Sequence, residues 1–398
     1  MSNVLTRAHK IADQLTAWRR DFHAHPELGF QETRTAARVA GVLESLGYRV
    51  RTGVGRTGVV AERGEGHPVV AIRADMDALP IQEACDVPYA SQVSGVMHAC
   101  GHDAHTAIAL GVATLLAGEE FPGTVRFLFQ PSEERGDEKG ISGAPRMVED
   151  GAMEEVDVVL ALHVRGNLPV GGISVETGTI SAGVDTFRAA IIGMGGHGAY
   201  PHLLIDPIYI AGHVILALNG IVSRRLSPTA PAVVSIGAIH GGQACNVIPE
   251  RVEITGTIRF MSQEVREQIY AEIGRAFEVA RTMGGDYELE IEPGGLPMIN
   301  NGAVVGLIRQ VAADLLGSEH VLEQEVTMGA EDFGVFSSLA PGAMFRLGCR
   351  IENDERKGHN PRFDIDERCL PVGAAILAET ALRLLRGGGK MQAEKSKD

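Results

Sequence analysis

The run Met97-His98-Ala99-Cys100-Gly101-His102-Asp103-Ala104-His105 gathers thiol, imidazole and carboxylate groups within a few residues. These are the donor types of a transition-metal site. The small apolar residues from Thr106 to Leu116 read as a helix, so the cluster stands just before it or on its first turn. The plain alternative is a His-rich loop around a buried free cysteine. Glu133-Glu134 is the second signal. Adjacent carboxylates on an extended backbone point to different sides, so one can ligate a cation while its neighbour faces a water as general base. A solvated acidic loop is the other reading, because Arg135, Asp137, Glu138 and Lys139 follow. His163 closes an apolar run, and His359 sits in the polar turn Lys357-Gly358-His359-Asn360-Pro361; a lone histidine of either kind also fits a satisfied rim or loop residue. Asp75 and Asp77 lie two apart, on one face of an extended segment. They fit metal ligands, partners that orient a ligand histidine from behind, or solvated loop acids. Gly193 to His202 is glycine-rich and carries His197 and His202. Glycine there allows close ligand approach, but the ending of a phosphate loop is missing. Asn246 offers an amide, and Arg259 ends an alternating strand where an arginine ordinarily faces solvent.

The elements that must position these groups follow from periodicity. Helices are expected over about Leu5–His25, ended by Pro26, and over Glu32–Leu46, stopped at Gly47. Short strands are expected near Tyr48–Arg51 and Gly58–Arg63. Three apolar runs, Pro68–Arg73, Thr124–Gln130 and Val156–Leu162, read as buried strands. Each delivers acids or a histidine at its C-terminal end, the edge where open α/β sheets place their active sites. The class is therefore α/β, a mixed sheet flanked by helices. From Asp185 to Pro293 the order changes to strand, helix, strand, strand, helix, strand. That is a ferredoxin-like α+β module, inserted into the larger domain. A helix near Val304–Leu316, a strand near Ala343–Gly348 and a helix from Cys369 to Leu385 then resume the α/β pattern. The expected organisation is a catalytic domain over residues 1–183 and 296–387, an inserted domain over 184–295, and a polar, disordered tail over 388–398.

With 398 residues the chain has length for two domains and a sizeable core. A formal net charge of −15 argues against a nucleic-acid partner. The five cysteines, Cys85, Cys100, Cys245, Cys349 and Cys369, are odd in number and scattered. They do not form a disulfide framework, and a reducing cytoplasm is the expected compartment. Met1 to Arg20 lacks the apolar core of a secretion signal. No stretch is expected to approach the roughly 20 apolar residues of a membrane span.

Taken together these residues resemble the metal-dependent amidohydrolase branch of the aminoacylase and glutamate-carboxypeptidase-like peptidases, which includes hippurate hydrolases, auxin-conjugate hydrolases and thermostable carboxypeptidases. The resemblance runs from Phe22-His23-Ala24-His25-Pro26-Glu27-Leu28 through Arg73–Pro80, Met97–His105, Phe129–Glu134, His163, Gly195–His202, Asn246–Pro249 and Gly329-Ala330-Glu331-Asp332-Phe333 to His359. It implies two divalent metal ions, zinc or manganese, with cobalt also suited. Cys100 would bridge them as thiolate; His102 and His163 would complete one shell, Glu134 and His359 the other. Glu133 would be the general base, and Asp77 would act from behind a ligand. Asp75 stands where related branches carry a metal-binding histidine. The inserted domain would serve as lid and dimerisation domain. His197 would reach the partner subunit's site and hold the oxyanion, while Asn246 and Arg259 would bind the substrate's amide and carboxylate. Pro131-Ser132 stands where many members have Pro-Ala, a difference expected to have no consequence.

The expected activity is hydrolysis of the amide bond of small N-acyl-L-amino acids, hippurate-like, by a homodimer or a dimer of dimers. A carboxypeptidase, a dipeptidase acting on short peptides or an N-acetyl-diaminopimelate deacetylase differs only in the pocket. Two other classes are weighed. A cysteine hydrolase would use Cys100 as nucleophile with His98 or His102 as base, but leaves Glu134, His163 and His359 without a task. A non-catalytic binding protein on the same scaffold would favour a missing base or ligand, and none is missing.

Overall fold

A computed structural model describes residues 4–323, 326–352, 354 and 356–387. The expected tail over 388–398 lies outside these. The chain divides into two compact units. The first takes the residues up to Gly178, a stretch beginning at Ile299, and Asp332 onward; the second takes Thr179–Met298 with Val326–Glu331.

The first unit contains helices α1 (Val4–Lys10), α2 (Ala12–Ala24), α3 (Thr33–Ser45), α4 (His102–Ala117) and α5 (Gly143–Glu149). Its strands are β1 (Arg49–Val54), β2 (Gly58–Glu65), β3 (Val69–Asp75), β4 (Gly123–Gln130), β5 (Val158–Pro169) and β6 (Ile173–Ser174). Strand β7 (Gly178–Ser181) follows. The second unit holds β8 (Gly183–Ile192), β9 (Gly196–His197), α6 (Pro207–Arg224), β10 (Ala232–Gly241), β11 (Val247–Ile248), β12 (Arg251–Phe260), α7 (Gln263–Thr282) and β13 (Asp286–Pro293). After β14 (Met298–Asn300), the first unit resumes with α8 (Gly302–Leu316), β15 (Val321–Leu322), α9 (Phe333–Leu339), β16 (Gly342–Arg350) and α10 (Cys369–Gly387).

The first unit is built on an eight-stranded sheet in the order β1-β2-β4-β3-β5-β16-β6-β15. Its central strands β4, β3, β5 and β16 run parallel, and β1, β2 and β6 add antiparallel pairs. Every residue of β3 is buried, as expected of a strand covered on both faces. Helix α4 is buried almost all round, which its run of small apolar residues permits. It packs against α2 and α10, and α1 packs on α10.

Three details depart from the expectations. The N-terminal helix is two helices, because Ile11 leaves the helical backbone between α1 and α2. His163 does not end a strand: β5 runs on to Pro169, and His163 sits within it, paired in register with Arg346 of β16. Helix α9, after the Gly329–Phe333 motif, is too short for a periodic signal.

The second unit has a four-stranded antiparallel sheet, order β10-β12-β8-β13, the arrangement of a ferredoxin-like module. Helix α6 opens with Asp206, whose carboxylate accepts from the N–H groups of Ile208 and Tyr209, and with Pro207 in its first turn. Ser262 caps α7 by accepting from Val265 N–H. Contrary to the expectation that no stretch approaches a membrane span, α6 is long and apolar enough by composition to cross one. Its Ile210, Val214, Leu218 and Ile221 are instead packed into the core of this unit.

Candidate metal centre

The centre is assembled by four chain segments of the first unit. Cys100 precedes α4, and His102 is its first residue. Gly101 between them has φ +92° and leaves no room for a side chain, because a Cβ would stand 2.3 Å from Val164 Cγ2. That tight turn is what sets the sulfur beside the helix start. Glu133 and Glu134 follow β4; His163 comes from β5; His359 comes from the turn ahead of α10, its N–H bonded to Ala99 O at 2.7 Å.

The donor atoms of Cys100, His102 and His163 lie within 4.8 Å of one another, and so do those of Cys100, Glu134 and His359. The two triads share one sulfur. Hydrogen bonds orient the imidazoles. His163 Nδ1 lies 2.7 Å from Val164 O and must donate there, so the lone pair is on Nε2, 3.4 Å from Cys100 Sγ. His102 Nδ1 faces Asp77 O at 3.0 Å and Asp77 Oδ1 at 3.1 Å, which leaves its Nε2 inward. This carboxylate–imidazole pairing is the outer support typical of metal-binding histidines. Among the described residues His102 Nε2 and Glu134 Oε1 are buried without a hydrogen bond, their charged neighbours being Asp75 Oδ2 at 3.6 Å and His359 Nε2 at 3.1 Å. Buried nitrogen and oxygen atoms converging beside a thiol are a donor set that fits divalent cations.

A third grouping, Asp75, His102 and His105, has similar spacing. His105 is already committed: its Nδ1 lies 2.6 Å from Asp75 Oδ1, and its Nε2 accepts Val164 N–H at 2.9 Å. With both ring nitrogens used, His105 braces the strand that carries His163.

Electrostatics follow from burial. Burial pushes the Cys100 thiol far above its usual range. Burial, with His105 and Arg346 adding to it, holds His163 neutral, well below the usual histidine value. Burial also opposes charge on His102, but Asp75, with Cys100 and Asp77, outweighs it and lifts His102 well above that value. The proton so favoured on Nε2 is one that a cation would displace.

Several supporting residues have no role that residue type and spacing alone assign, although Arg73, Gln130, Asp332, His23 and Asp103 lie within the segments that carry the resemblance. Arg73, buried in β3, is 2.8 Å from Asp75 Oδ2 through one guanidinium nitrogen and 2.8 Å from Gln130 Oε1 through Nε. Gln130 donates to Asp332 Oδ2 at 2.9 Å, and Asp332 N–H reaches Glu133 Oε1 at 3.3 Å. Behind the start of α4, Arg19 pairs with Asp103 at 2.8 Å and Asp364 at 2.7 Å, and His23 Nδ1 is also 2.8 Å from Asp103. The one hint from residue pattern alone is an arginine inside the apolar run Val69–Arg73.

His197, Asn246 and Arg259 belong to the second unit. His197 and Asn246 adjoin: β9 pairs with β11, and Gly198 N–H donates to Asn246 O at 2.8 Å. Both side chains are exposed. His197 Nδ1 accepts Ala199 N–H at 3.1 Å, so Nε2 carries the proton. Arg259 lies apart from them, on β12 between Val184 and Val233. It is half-buried, and burial lowers its pKa with no charge among the described residues contributing.

Comparison with known proteins gives a consistent picture. The sequence pattern of peptidase family M20/M25/M40 matches residues 71–383. N-acetylcysteine deacetylase of Bacillus subtilis is 40% identical over 94% of this chain and 97% of that protein. Thermostable carboxypeptidase 2 of Saccharolobus solfataricus is 38% identical over 94% of this chain and 96% of its own. IAA-amino acid hydrolase ILR1-like 2 of Arabidopsis thaliana is 37% identical over 96% and 87%. Among solved structures, the Bacillus subtilis YXEP protein, described as a dinuclear metal binding peptidase, superposes with TM-score 0.82 at 36% identity, covering 95% of this chain and 99% of that one.

Proposed function

The chain belongs to peptidase family M20/M25/M40, a metal-dependent hydrolase of amide or peptide bonds, and from that premise we propose that it cleaves N-acyl-L-amino acids, hippurate-like substrates first, into a carboxylic acid and a free amino acid. The observation that carries this reading is the pair of donor triads sharing Cys100, with Glu133 beside Glu134 and His102. Cys100, His102 and His163 would hold one divalent cation; Cys100, Glu134 and His359 would hold the other. Zinc, manganese and cobalt all suit these donors. Bound there, the cations supply Lewis acidity to the scissile carbonyl and to a water molecule.

The chain's own groups do the rest. Glu133 takes the proton of the attacking water and returns it to the leaving amine. Its backbone neighbours fix its place, and Asp332 N–H steadies Oε1. Asp77 keeps Nε2 of His102 turned inward. His197, with Nε2–H exposed, would donate to the developing oxyanion of the partner subunit's site. Asn246 would hold the amide. Arg259, partly desolvated with no charged partner among the described residues, suits a carboxylate that it can grip with two N–H groups. The open edge strand β10 and the exposed Tyr209 and Leu216 of α6 support a homodimer through the second unit.

Cys100 as nucleophile is the weaker reading. A nucleophilic thiol needs a lowered pKa, and burial raises this one. The deciding experiment measures amino-acid release from N-benzoylglycine by metal-loaded protein, by chelated protein, and after metal is restored. Loss on chelation and recovery with manganese, zinc or cobalt is expected. Activity indifferent to chelator overturns the metal reading. Release from N-acetyl amino acids or dipeptides in place of N-benzoylglycine corrects the substrate.

A further inference from the structure

We propose that Glu32 is a positioning residue for the Glu133–Glu134 pair: its buried carboxylate accepts the N–H of Ser132 at 2.8 Å and holds the left-handed turn that leads into both glutamates.

Ser132 has φ +45°, a conformation that costs free energy for any residue with a Cβ. Something must hold it there. Its side chain is buried, and its neighbours box it in. A Cβ on Gly29 would stand 2.2 Å from Ser132 Oγ, and one on Gly143 would stand 1.6 Å from Pro131 O. Ser132 O accepts Gly143 N–H at 2.9 Å, and its hydroxyl donates to Arg135 O at 2.8 Å. The remaining backbone group, Ser132 N–H, is satisfied by Glu32 alone among the described residues. Two residues further on, Glu134 N–H donates to Asp77 Oδ2 at 3.0 Å. Glu133 is therefore flanked by two backbone N–H groups, each pinned by a carboxylate from a distant segment. Removing one pin leaves a buried donor unpaired and frees the turn to relax toward ordinary φ.

Glu32 is fully buried, directly before α3, and its second oxygen accepts the Thr57 hydroxyl. Burial, with the negative charge of Asp77 adding to it, lifts the carboxyl to about 7. The contact to Ser132 needs an acceptor oxygen at the right reach and not a charge. Glutamine offers that oxygen and can donate its amide to Thr57. Aspartate keeps an acid but is one methylene too short.

This inference rests on reading Glu133 as base and Glu134 as ligand. The test compares Glu32→Gln, Glu32→Asp and the double variant Glu32→Asp with Ser132→Gly, in the full chain. Manganese binding is followed by equilibrium dialysis, turnover by amino-acid release, and folding by circular dichroism. E32Q is expected to bind two manganese ions as the wild type does and to keep kcat within about threefold, since one acceptor replaces another. E32D is expected to weaken one manganese ion about ten- to a hundredfold and to lower kcat with little change in KM. Glycine at 132 tolerates positive φ, so the double variant should regain manganese affinity; it also supplies the folded comparison if E32D alone does not fold. E32D matching wild type, a double variant that binds manganese no better than E32D, or E32Q falling as far as E32D overturns the proposal. A wild type that binds two ions but turns over no acyl amino acid counts against the substrate class and leaves the manganese comparison to decide.

Discussion

Nδ1 of His102 lies 3.1 Å from Oδ1 of Asp77, and the other oxygen of that carboxylate accepts the N–H of Glu134. One buried acid thus orients a candidate ligand on α4 and the backbone of a candidate ligand after β4. Asp77→Asn keeps the shape but not the second acceptor. Manganese affinity is expected to fall about ten- to a hundredfold, measured by competition with a chelator of known affinity. Unchanged affinity would remove Asp77 from the support of the centre.

The proposed function gives Glu133 a different task from its neighbour. Glu133→Gln should bind two manganese ions with wild-type affinity while kcat drops by about a hundred- to ten-thousandfold, with KM little altered. Glu134→Gln should lose an ion. Steady-state kinetics beside metal analysis separate the two, and a turning-over E133Q enzyme would show that the base lies elsewhere.

If His197 serves the partner subunit's site, two inactive proteins can repair each other. In a mixed dimer of E133Q and H197A, one site combines both lesions and the other combines none. Equal mixing should restore about a quarter of wild-type activity, from half the dimers being mixed and half their sites intact. Activity that stays at the level of the separate variants would place His197 in its own subunit's site or outside the chemistry.

Glu32 makes stability depend on pH. Its carboxyl titrates near 7 in the fold, raised from 4.5 by burial and further by Asp77. The folded chain therefore holds a proton that the unfolded chain releases. That contribution is fully present below the unfolded pKa and is lost as pH rises through about 7. Its ceiling is about 3 kcal/mol. Denaturant titrations of chelated protein from pH 5 to 8 should show wild type losing stability relative to Glu32→Gln. Parallel curves for the two proteins would contradict this.

The cation Arg19 is buried between Asp103, Asp364 and Glu367, and Asp103 stands on the first turn of α4, next to His102. Arg19→Met strands Asp103 and Asp364 without their counter-charge. A stability loss of about 3–5 kcal/mol is expected, read from the urea midpoint. A variant as stable as wild type would show these acids to be satisfied by other means.

Much of this was legible in the chain itself. The apolar runs that become β3, β4 and β5 announce themselves because a strand covered on both faces has no polar side to show. The residues of the centre stand out because thiol, imidazole and paired acids at strand ends serve no packing purpose. The supports do not stand out. Arg19 and Asp364 are 345 residues apart, and no local pattern says that their charges neutralise each other. Glu32 reads as the polar start of a helix, since its burial depends on Thr57 and Ser132. The place of His163 is not legible from the apolar run: the run ends where polar residues begin, but β5 continues because β16 pairs with it as far as Pro169.

Strand β16 lies between β5 and β6 in the sheet, although the whole of the second unit separates it from them in sequence. This has a consequence on the ribosome. The nascent first unit cannot close its sheet until residue 350 has emerged, and His359 and α10 come later still. The ferredoxin-like unit, wholly synthesised before then, has all four strands of its sheet in hand. The order of synthesis therefore keeps the candidate centre incomplete until residue 359 has been made, and a product truncated before it would carry Cys100, His102, Glu134 and His163 without His359.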